Sequence, residues 1–235
     1  MPAVGFLAEA SSQSPAYEVA DNITVRFVSE EADESTIKEL RDKGDLVIET
    51  IPEDVADTAG CVWFAGLALS RYLASGVDVV QRDSRVCELG AGCCVPGLVS
   101  ALLGAQSVCV TDLPDNIPHM KSIIESNKDL LACPVRPRVV EFGADNEFDT
   151  GVFDIILGAD IGFDLNLHSL IKSTLVSLCG AHTRIILCEE VRWKDIFDWY
   201  IAELETCFSV DIRDCSSSAI LGSGKKVKIM TLALK

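Results

Sequence analysis

The chain has 235 residues, a length that suits one globular domain or one domain with a small appendage. Hydrophobic residues make up 49% of it and charged residues 24%, which excludes a mainly disordered chain. The formal charge is −16, of which −10 comes from residues 1–60, with 4 Lys+Arg against 14 Asp+Glu. Such acidity argues against nucleic acid as the partner, because Lys and Arg must supply the energy of phosphate binding.

The ten cysteines lie mostly within apolar runs, as expected of small buried side chains. The N-terminus has no basic segment followed by an apolar one, so we expect no secretory signal and reduced thiols. These features predict a protein of the cytoplasm, or of the cytoplasm and nucleus. No Cys-x-x-Cys pair occurs and no apolar run reaches the ~18 residues of a membrane span, so neither a metal site nor a membrane partner is expected.

The first 60 residues predict an acidic extension placed before a single larger domain at 61–235. A frayed tail is expected first, then two β-branched strands that form an N-terminal β-hairpin or small sheet, with a charged loop or short helix between them. An amphipathic helix opens the larger domain. In chain order these elements are Met1–Pro15, Asn22–Val28, Glu30–Asp45, Asp45–Thr50 and Cys61–Ser75.

From residue 85 onward, short apolar runs alternate with helical stretches, which predicts βαβ units and a parallel sheet covered on both faces. The expected strands are Arg85–Leu89, Ser107–Thr111, Arg138–Phe142, Phe153–Leu157 and Thr183–Cys188, and the helices are Pro96–Leu103, Asn116–Asn127, Leu165–Leu178 and Lys194–Thr206. Two final strands, Cys207–Arg213 and Lys226–Leu234, have no helix between them and predict an antiparallel pair. The fold class is therefore α/β, with a Rossmann-like seven-stranded sheet that is mostly parallel.

Ligands of such sheets bind beyond the carboxyl ends of the strands, and two features stand there. Gly90 and Gly92 follow the first strand of the large sheet, where they allow a tight turn and close approach of backbone N–H groups to a ligand. Asp112 follows the next strand, 20 positions beyond Gly92, a spacing at which a carboxylate accepts ribose hydroxyls. A glycine turn needed only for packing is the simpler alternative. A nicotinamide dinucleotide would need Gly or Ala at Val95.

The residues around this turn resemble the small protein-lysine methyltransferases of the seven-β-strand class, which act on chaperones and translation elongation factors. Glu88-x-Gly90-x-Gly92 followed by Asp112 is similar to their S-adenosylmethionine motif. The resemblance runs from about Cys61 to the C-terminus. It includes the helix beginning Cys61-Val62-Trp63, the stretch Ala159-Asp160-Ile161-Gly162-Phe163, and Cys188-Glu189-Glu190-Val191-Arg192.

The resemblance implies a cofactor, S-adenosylmethionine, and a set of site residues. Trp63 would lie near the cofactor, and Gly90, Ala91 and Gly92 against its methionine part. Asp112 would bind its ribose and Phe142 would lie beside its adenine, with Glu88 as a further cofactor-binding residue. Ala159 and Asp160 would line the transfer channel, where Asp160 attracts and aims a lysine. Two positions depart from the family pattern: Cys94 stands for its third glycine, and Phe163 for the tyrosine of its Asp-x-x-Tyr motif.

The implied activity is transfer of methyl groups to a lysine of a partner protein by a monomeric enzyme, with Asp160 and Phe163 as the catalytic residues. Two alternatives remain open. A noncatalytic scaffold would keep the fold, with or without the cofactor, and Cys94 and Phe163 would be marks of lost activity. A small-molecule methyltransferase is the third interpretation, which the short strand-to-helix loops disfavour because they leave little material for a lid.

Overall fold

The computed structural model describes residues 16–20, 22–29, 32–51, 58–75, 79–215 and 225–235. The tail predicted over Met1–Pro15 and the Ser- and Gly-rich connection at 216–224 lie outside the described residues.

The N-terminal residues form a three-stranded sheet of their own, in the order β1-β2-β3. Its elements are β1 (Ala16–Ala20), β2 (Ile23–Ser29), α1 (Glu34–Asp42) and β3 (Leu46–Thr50). The hairpin joins β1 to β2, whereas β3 runs parallel to β2. The predicted N-terminal hairpin and small sheet are therefore present, but β1 and β2 form the hairpin, and the two strands predicted from the sequence, β2 and β3, pair in parallel. The chain between them forms α1, a crossover that returns it to the same end of the sheet, and β1 was not predicted.

The remaining elements alternate as the sequence indicates. They are α2 (Phe64–Ala74), β4 (Arg85–Leu89), α3 (Val95–Leu102), β5 (Ser107–Asp112), α4 (Ile117–Asn127), β6 (Val135–Val139), β7 (Ile155–Ala159), α5 (His168–Leu178), β8 (Arg184–Glu190), α6 (Lys194–Leu204), β9 (Phe208–Asp214) and β10 (Val227–Leu234). Single 3-10 turns, Pro114–Asn116 and Leu165–Leu167, precede α4 and α5.

The large sheet has seven strands in the order β6-β5-β4-β7-β8-β10-β9. All pairs from β6 to β8 are parallel, and β10 is antiparallel to both β8 and β9. The predicted fold class, including the antiparallel C-terminal pair, is thus confirmed. From β4 the chain adds β5 and β6 on one side and then β7 and β8 on the other. A ligand crevice is expected at this switch point, beside β4.

Two apolar layers cover the large sheet. The helices α2, α3 and α4 and the small N-terminal sheet pack on one face, and α5 and α6 pack on the other. Asn127 of α4 ties the small sheet to the rest: its Oδ1 accepts from the Val47 backbone N–H at 2.8 Å, and its Nδ2 donates to the Val47 carbonyl at 2.6 Å. The division of the chain at residue 60 stays a prediction.

One strand lies three residues earlier than expected. The sequence predicts Arg138–Phe142, but β6 covers Val135–Val139 and includes Pro137. Proline lacks a backbone donor and is tolerated here because β6 is an edge strand. Phe142 consequently lies in the loop after β6. Among the described residues, no helix is long and apolar enough to cross a membrane.

Candidate active site

A pocket of about 1100 Å³ opens over the carboxyl ends of β4, β5, β7 and β8. Its volume suits a ligand of nucleoside size with room for an entering side chain. The ten site residues predicted from the sequence all line it: Trp63, Glu88, Gly90, Ala91, Gly92, Asp112, Phe142, Ala159, Asp160 and Phe163.

The loop between β4 and α3 forms the floor of the pocket and takes left-handed backbone conformations at three alternate positions. Gly90 has φ +58°, Gly92 has φ +47° and Cys94 has φ +60°. Glycine adopts this conformation without a steric penalty, whereas a residue with Cβ pays one. A Cβ on Gly90 would stand 2.8 Å from Ile161 Cγ2. Cys94 therefore preserves the loop shape that the family pattern builds with a third glycine, at the cost of strain.

Asp112, at the end of β5, holds this loop in place. One carboxylate oxygen, Oδ2, accepts from the Gly92 backbone N–H at 2.8 Å. The other, Oδ1, accepts from the backbone N–H of Leu113 and from the side-chain amide of Asn116, both at 2.8 Å. All three donors are neutral, and the carboxylate that they hold lines the pocket. It has the position and the acceptor capacity that a ribose diol requires.

Glu88 is a second carboxylate of the pocket wall, and it is almost fully buried in β4. Its Oε2 accepts from the Gly97 backbone N–H of α3 at 2.8 Å. Burial raises the pKa of Glu88 to about 8, with a smaller contribution from the charge of Asp112. A Cβ on Gly97 would lie 2.7 Å from Glu88 Oε2, so the helix can approach this carboxyl group only because residue 97 is glycine.

Two aromatic side chains, Trp63 and Phe142, line the pocket. Trp63 occupies the N-cap position of α2. Phe142 follows β6, and its Cζ would be 3.5 Å from a Cβ built on Gly90, so its ring lies over the glycine loop. With Asp112 on the neighbouring strand, Phe142 marks the β5–β6 side as suited to a nucleoside. The β7–β8 side is left for the part of a ligand at the other end.

Asp160, directly after β7, lines the pocket on the β7–β8 side. Its backbone is left-handed at φ +58°, which is uncommon for a residue other than glycine. Its carboxylate is bound by the Arg192 guanidinium in bidentate fashion, with Nη1–Oδ1 at 2.9 Å and Nη2–Oδ2 at 2.6 Å. Burial raises the pKa of Asp160, although the bonds to Arg192 act in the opposite direction.

Arg192 belongs to a wider network at the pocket mouth. Its Nη2 also donates to Glu190 Oε2 at 2.9 Å, and Lys225 Nζ donates to Glu190 Oε1 at 2.7 Å. The Arg192 guanidinium lies over the Trp63 ring, 5.1 Å from its centroid. Two carboxylates and two cations thus alternate along the mouth, joined by charge-assisted hydrogen bonds.

The turn from Asp160 to Phe163 is fixed from below. The Gly162 backbone N–H donates to the buried Glu189 Oε1 at 2.9 Å, and the Gly162 carbonyl lies 2.9 Å from His168 Nε2. Burial raises the pKa of the Glu189 carboxyl well above its usual range, which favours the protonated form. Phe163 at the end of this turn is 43% exposed, so its ring forms an open edge of the pocket.

The sequence analysis missed the partner of Asp160. Arg192 was named only within a stretch that resembles the family, with no role assigned to it. His168, which binds the Gly162 carbonyl, is buried. The pairing of β8 with β7 would have indicated this partner, because residues just after β8 reach the same edge of the sheet as Asp160. Among the described residues, no group of three or more His, Cys, Asp or Glu side chains could hold a metal ion.

Comparison with known proteins decides the family. A family model described as lysine methyltransferase matches residues 41–206. The chain belongs to the lysine methyltransferase family. Protein N-lysine methyltransferase METTL21A of Mus musculus is 36% identical over 157 residues, which cover 65% of this chain and 69% of that protein. EEF1A lysine methyltransferase 3 of Mus musculus is 35% identical over 136 residues, which cover 57% of this chain and 56% of the relative.

Solved structures of methyltransferases share the fold. The ribosomal protein L11 methylase of Lactobacillus delbrueckii subsp. bulgaricus aligns with a TM-score of 0.60 at 14% identity, covering 94% of this chain and 97% of that one. The glycopeptide N-methyltransferase MtfA, solved with S-adenosylmethionine, aligns with a TM-score of 0.55 at 13% identity, covering 77% of this chain and 99% of that one.

These findings confirm the lysine methyltransferase family, the enzyme class and S-adenosylmethionine as the cofactor. The pocket fits that cofactor: Asp112 offers its charge for the ribose, Phe142 a ring for the adenine, and the glycine loop close backbone contact for the methionine part. The roles assigned to individual residues stay predictions.

Proposed function

We propose that the protein methylates a lysine of a translation elongation factor or a chaperone, within an open cleft in which the β5–β6 side holds the nucleoside and the β7–β8 side receives the lysine. The observation that carries this division is a single pocket lined from successive strand ends: Asp112 ends β5 and Phe142 follows β6, whereas Asp160 and Phe163 follow β7.

The bound cofactor supplies an electrophilic methyl group on a sulfonium, so transfer to an amine breaks the C–S bond and leaves its electron pair on sulfur. The protein must then deliver an amine with a free lone pair. An unperturbed lysine has a pKa of about 10.4, so removing its proton at pH 7 costs roughly 4–5 kcal/mol. The released proton goes to water.

The rim of the mouth suits a protein substrate better than a small molecule. Phe163 is 43% exposed and Trp193 is 52% exposed, and both line the pocket. Exposed aromatic rings at an opening provide contact area for the segment that carries the lysine. The formal charge of −16 favours encounter with a lysine-rich segment.

The substrate class rests on the relatives. EEF1A lysine methyltransferase 3 is named for an elongation factor, which supports an elongation factor as the first candidate here. All ten cysteines are free thiols, in keeping with a reducing compartment, and we place the protein in the cytoplasm, with the nucleus as a second location. We propose that the enzyme acts as a monomer.

Incubation with labelled S-adenosylmethionine and either purified elongation factor or cell lysate tests the proposal, followed by mass spectrometry of every labelled band. We expect label on lysine, and weaker label with Asp112→Ala at cofactor concentrations that do not saturate the variant. Label confined to small molecules would favour the small-molecule interpretation. Cofactor binding without transfer to any protein would leave the noncatalytic scaffold as the remaining interpretation.

A further inference from the structure

The ion pair between Asp160 and Arg192 poses a chemical problem for lysine methylation. A free carboxylate beside the acceptor stabilises the protonated ammonium, and the ammonium has no lone pair with which to attack a methyl group. An aspartate placed there to attract lysine would therefore oppose the reaction it serves. In the structure both oxygens of Asp160 are already bonded to Arg192, at 2.9 and 2.6 Å.

The pairing is built into the fold rather than being a chance surface contact. The Asp160 side chain is 3% exposed and that of Arg192 is 17% exposed. Arg192 is fixed from three sides, by Asp160, by Glu190 and by the face of Trp63. Lys225 balances the second carboxylate, Glu190. Two acidic and two basic side chains are thus paired with one another in one cluster at the mouth.

We propose that Arg192 is a positioning residue for methyl transfer: by holding Asp160 in a closed ion pair, it keeps the β7–β8 side of the pocket electrically balanced, so that lysine reacts there as the uncharged amine. The proposal rests on the proposed function. Asp160 then supplies a fixed, neutralised wall, and the positive sulfonium of the cofactor is left free to lower the pKa of the entering amine.

Cofactor binding alone can test the charge balance, because S-adenosylmethionine carries a sulfonium charge that S-adenosylhomocysteine lacks. The ratio of the two dissociation constants therefore reports the charge near the methyl position. The groups that face Asp160, directly or through Glu190, are Arg192, Glu190, Glu189, Cys188 and Lys225. Glu88 also titrates in this pocket, but it is present in every variant below, so differences between variants cancel it.

The experiment measures this ratio by calorimetry from pH 6 to pH 9 in wild type and Arg192→Gln. Once Arg192 is removed, the buried Asp160 ionises only as the pH rises. The preference for S-adenosylmethionine should then grow with pH by several-fold, up to about tenfold, relative to wild type. The double variant Arg192→Gln with Asp160→Asn has no such carboxylate and should restore the wild-type profile. A merely structural role for Arg192 would change both affinities together and show no rescue.

Two further variants keep the test decisive. Asp160→Asn alone leaves Arg192 as an unbalanced cation and should weaken S-adenosylmethionine against S-adenosylhomocysteine several-fold at every pH, which can be measured even if Arg192→Gln fails to fold. Arg85→Gln is the matched control, because it removes an equally bidentate Arg–Asp pair at the amino end of β7, away from the pocket. Its ratio should follow that of wild type.

Transfer to lysine provides the second measurement. In Arg192→Gln the rising limb of the plot of kcat against pH should move toward alkaline pH by about one unit, since the freed carboxylate raises the pKa of the bound acceptor. A cofactor ratio that is the same in Arg192→Gln and wild type at all pH values, or no rescue in the double variant, would overturn the proposal. A wild-type protein that shows the predicted ratios but labels no lysine would instead overturn the proposed function.

Discussion

The strand β7 has an aspartate at each end, and each aspartate is held by an arginine, yet the two pairs differ in almost everything else. Asp154 precedes β7 and binds Arg85 with bonds of 2.8 and 2.9 Å. Asp160 follows β7 and binds Arg192 at 2.9 and 2.6 Å. The Asp154 side chain is 40% exposed, whereas that of Asp160 is 3% exposed.

Burial reverses the direction in which the pKa of the aspartate shifts. The bonds from Arg85 lower the pKa of Asp154 below its ordinary value. The pKa of Asp160 is raised instead, because the loss of hydration outweighs the guanidinium. An exposed pair contributes little to stability, while a buried carboxylate depends on its partner for remaining charged. The pair at the amino end of β7 therefore belongs to the fold, whereas the pair at its carboxyl end belongs to the site.

Backbone strain follows the same division. Within the described residues, the only non-glycine positions with positive φ are Cys94 and Asp160, and both line or adjoin the pocket at the carboxyl ends of the strands. Such conformations cost of order 1–3 kcal/mol and persist only where the surroundings enforce them. The amino end of β7 needs none, because nothing there has to point into a cavity.

Removing each arginine should produce the largest contrast. Arg192→Gln leaves a buried carboxylate without its partner and should lower the free energy of unfolding by about 3 kcal/mol. Arg85→Gln should lower it much less, because Asp154 stays hydrated. Urea unfolding at pH 7 measures both. Equal losses would mean that the difference in burial has no energetic consequence.

A variant of Asp112 tests whether cofactor binding depends on the carboxyl edge of the sheet and not on its amino edge. Asp112→Ala removes the proposed ribose acceptor and the bond that anchors Gly92, so it should weaken S-adenosylmethionine binding by roughly 1.5–3 kcal/mol. Asp154→Ala, which removes a carboxylate at the opposite edge, is the control and should leave the affinity unchanged. Calorimetry on both folded variants decides, and unchanged affinity in Asp112→Ala would remove the ribose assignment.

Glu88 extends the comparison to pH. Its pKa in the folded protein, about 8, lies above that of an ordinary glutamate, so the folded state holds a proton that the unfolded state has lost. Stability should therefore fall as the pH rises from about 4.5 to about 8, by up to about 1.4 kcal/mol per unit, and change little from this group outside that window. Glu88→Gln should flatten this part of the curve. An unaltered slope in denaturation at several pH values would contradict the assignment.

The sequence predicts the parts of the molecule that depend on local pattern, and fails where contacts join distant residues. The βα alternation and the glycine turn place nearly every element of the large sheet, because periodicity is a property of neighbouring residues. The three-residue offset of β6 arises because Pro137 is acceptable only on an edge strand. The residues of this segment do not show that the strand lies at the edge of the sheet. Asp160 and Arg192 are 32 positions apart, and only the pairing of β7 with β8 brings them together.

Cys94 offers a smaller test of strain at the carboxyl edge. Cys94→Gly removes a Cβ from a left-handed position and should raise the free energy of unfolding by up to about 1 kcal/mol, less the added flexibility of glycine in the unfolded chain. Cofactor affinity should stay equal or improve, because the loop shape is unchanged. In a separate measurement on wild type, elemental analysis should find no metal bound at Cys93 and Cys94. A marked loss of affinity would show that the thiol itself contributes to the site.

The smallest effect is expected where the chain departs from the tyrosine of the family pattern. Phe163 is 43% exposed at the pocket rim, so the hydroxyl added by Phe163→Tyr has room and meets solvent rather than packed side chains. If the charge balance between Asp160 and Arg192 prepares the amine, the hydroxyl is not essential and the rate should stay within about tenfold of wild type, a barrier change under ~1.4 kcal/mol. Single-turnover transfer of labelled methyl measures the difference. An inactive wild type that gains activity through Phe163→Tyr would instead identify the native protein as a scaffold in which the ion pair alone does not support transfer.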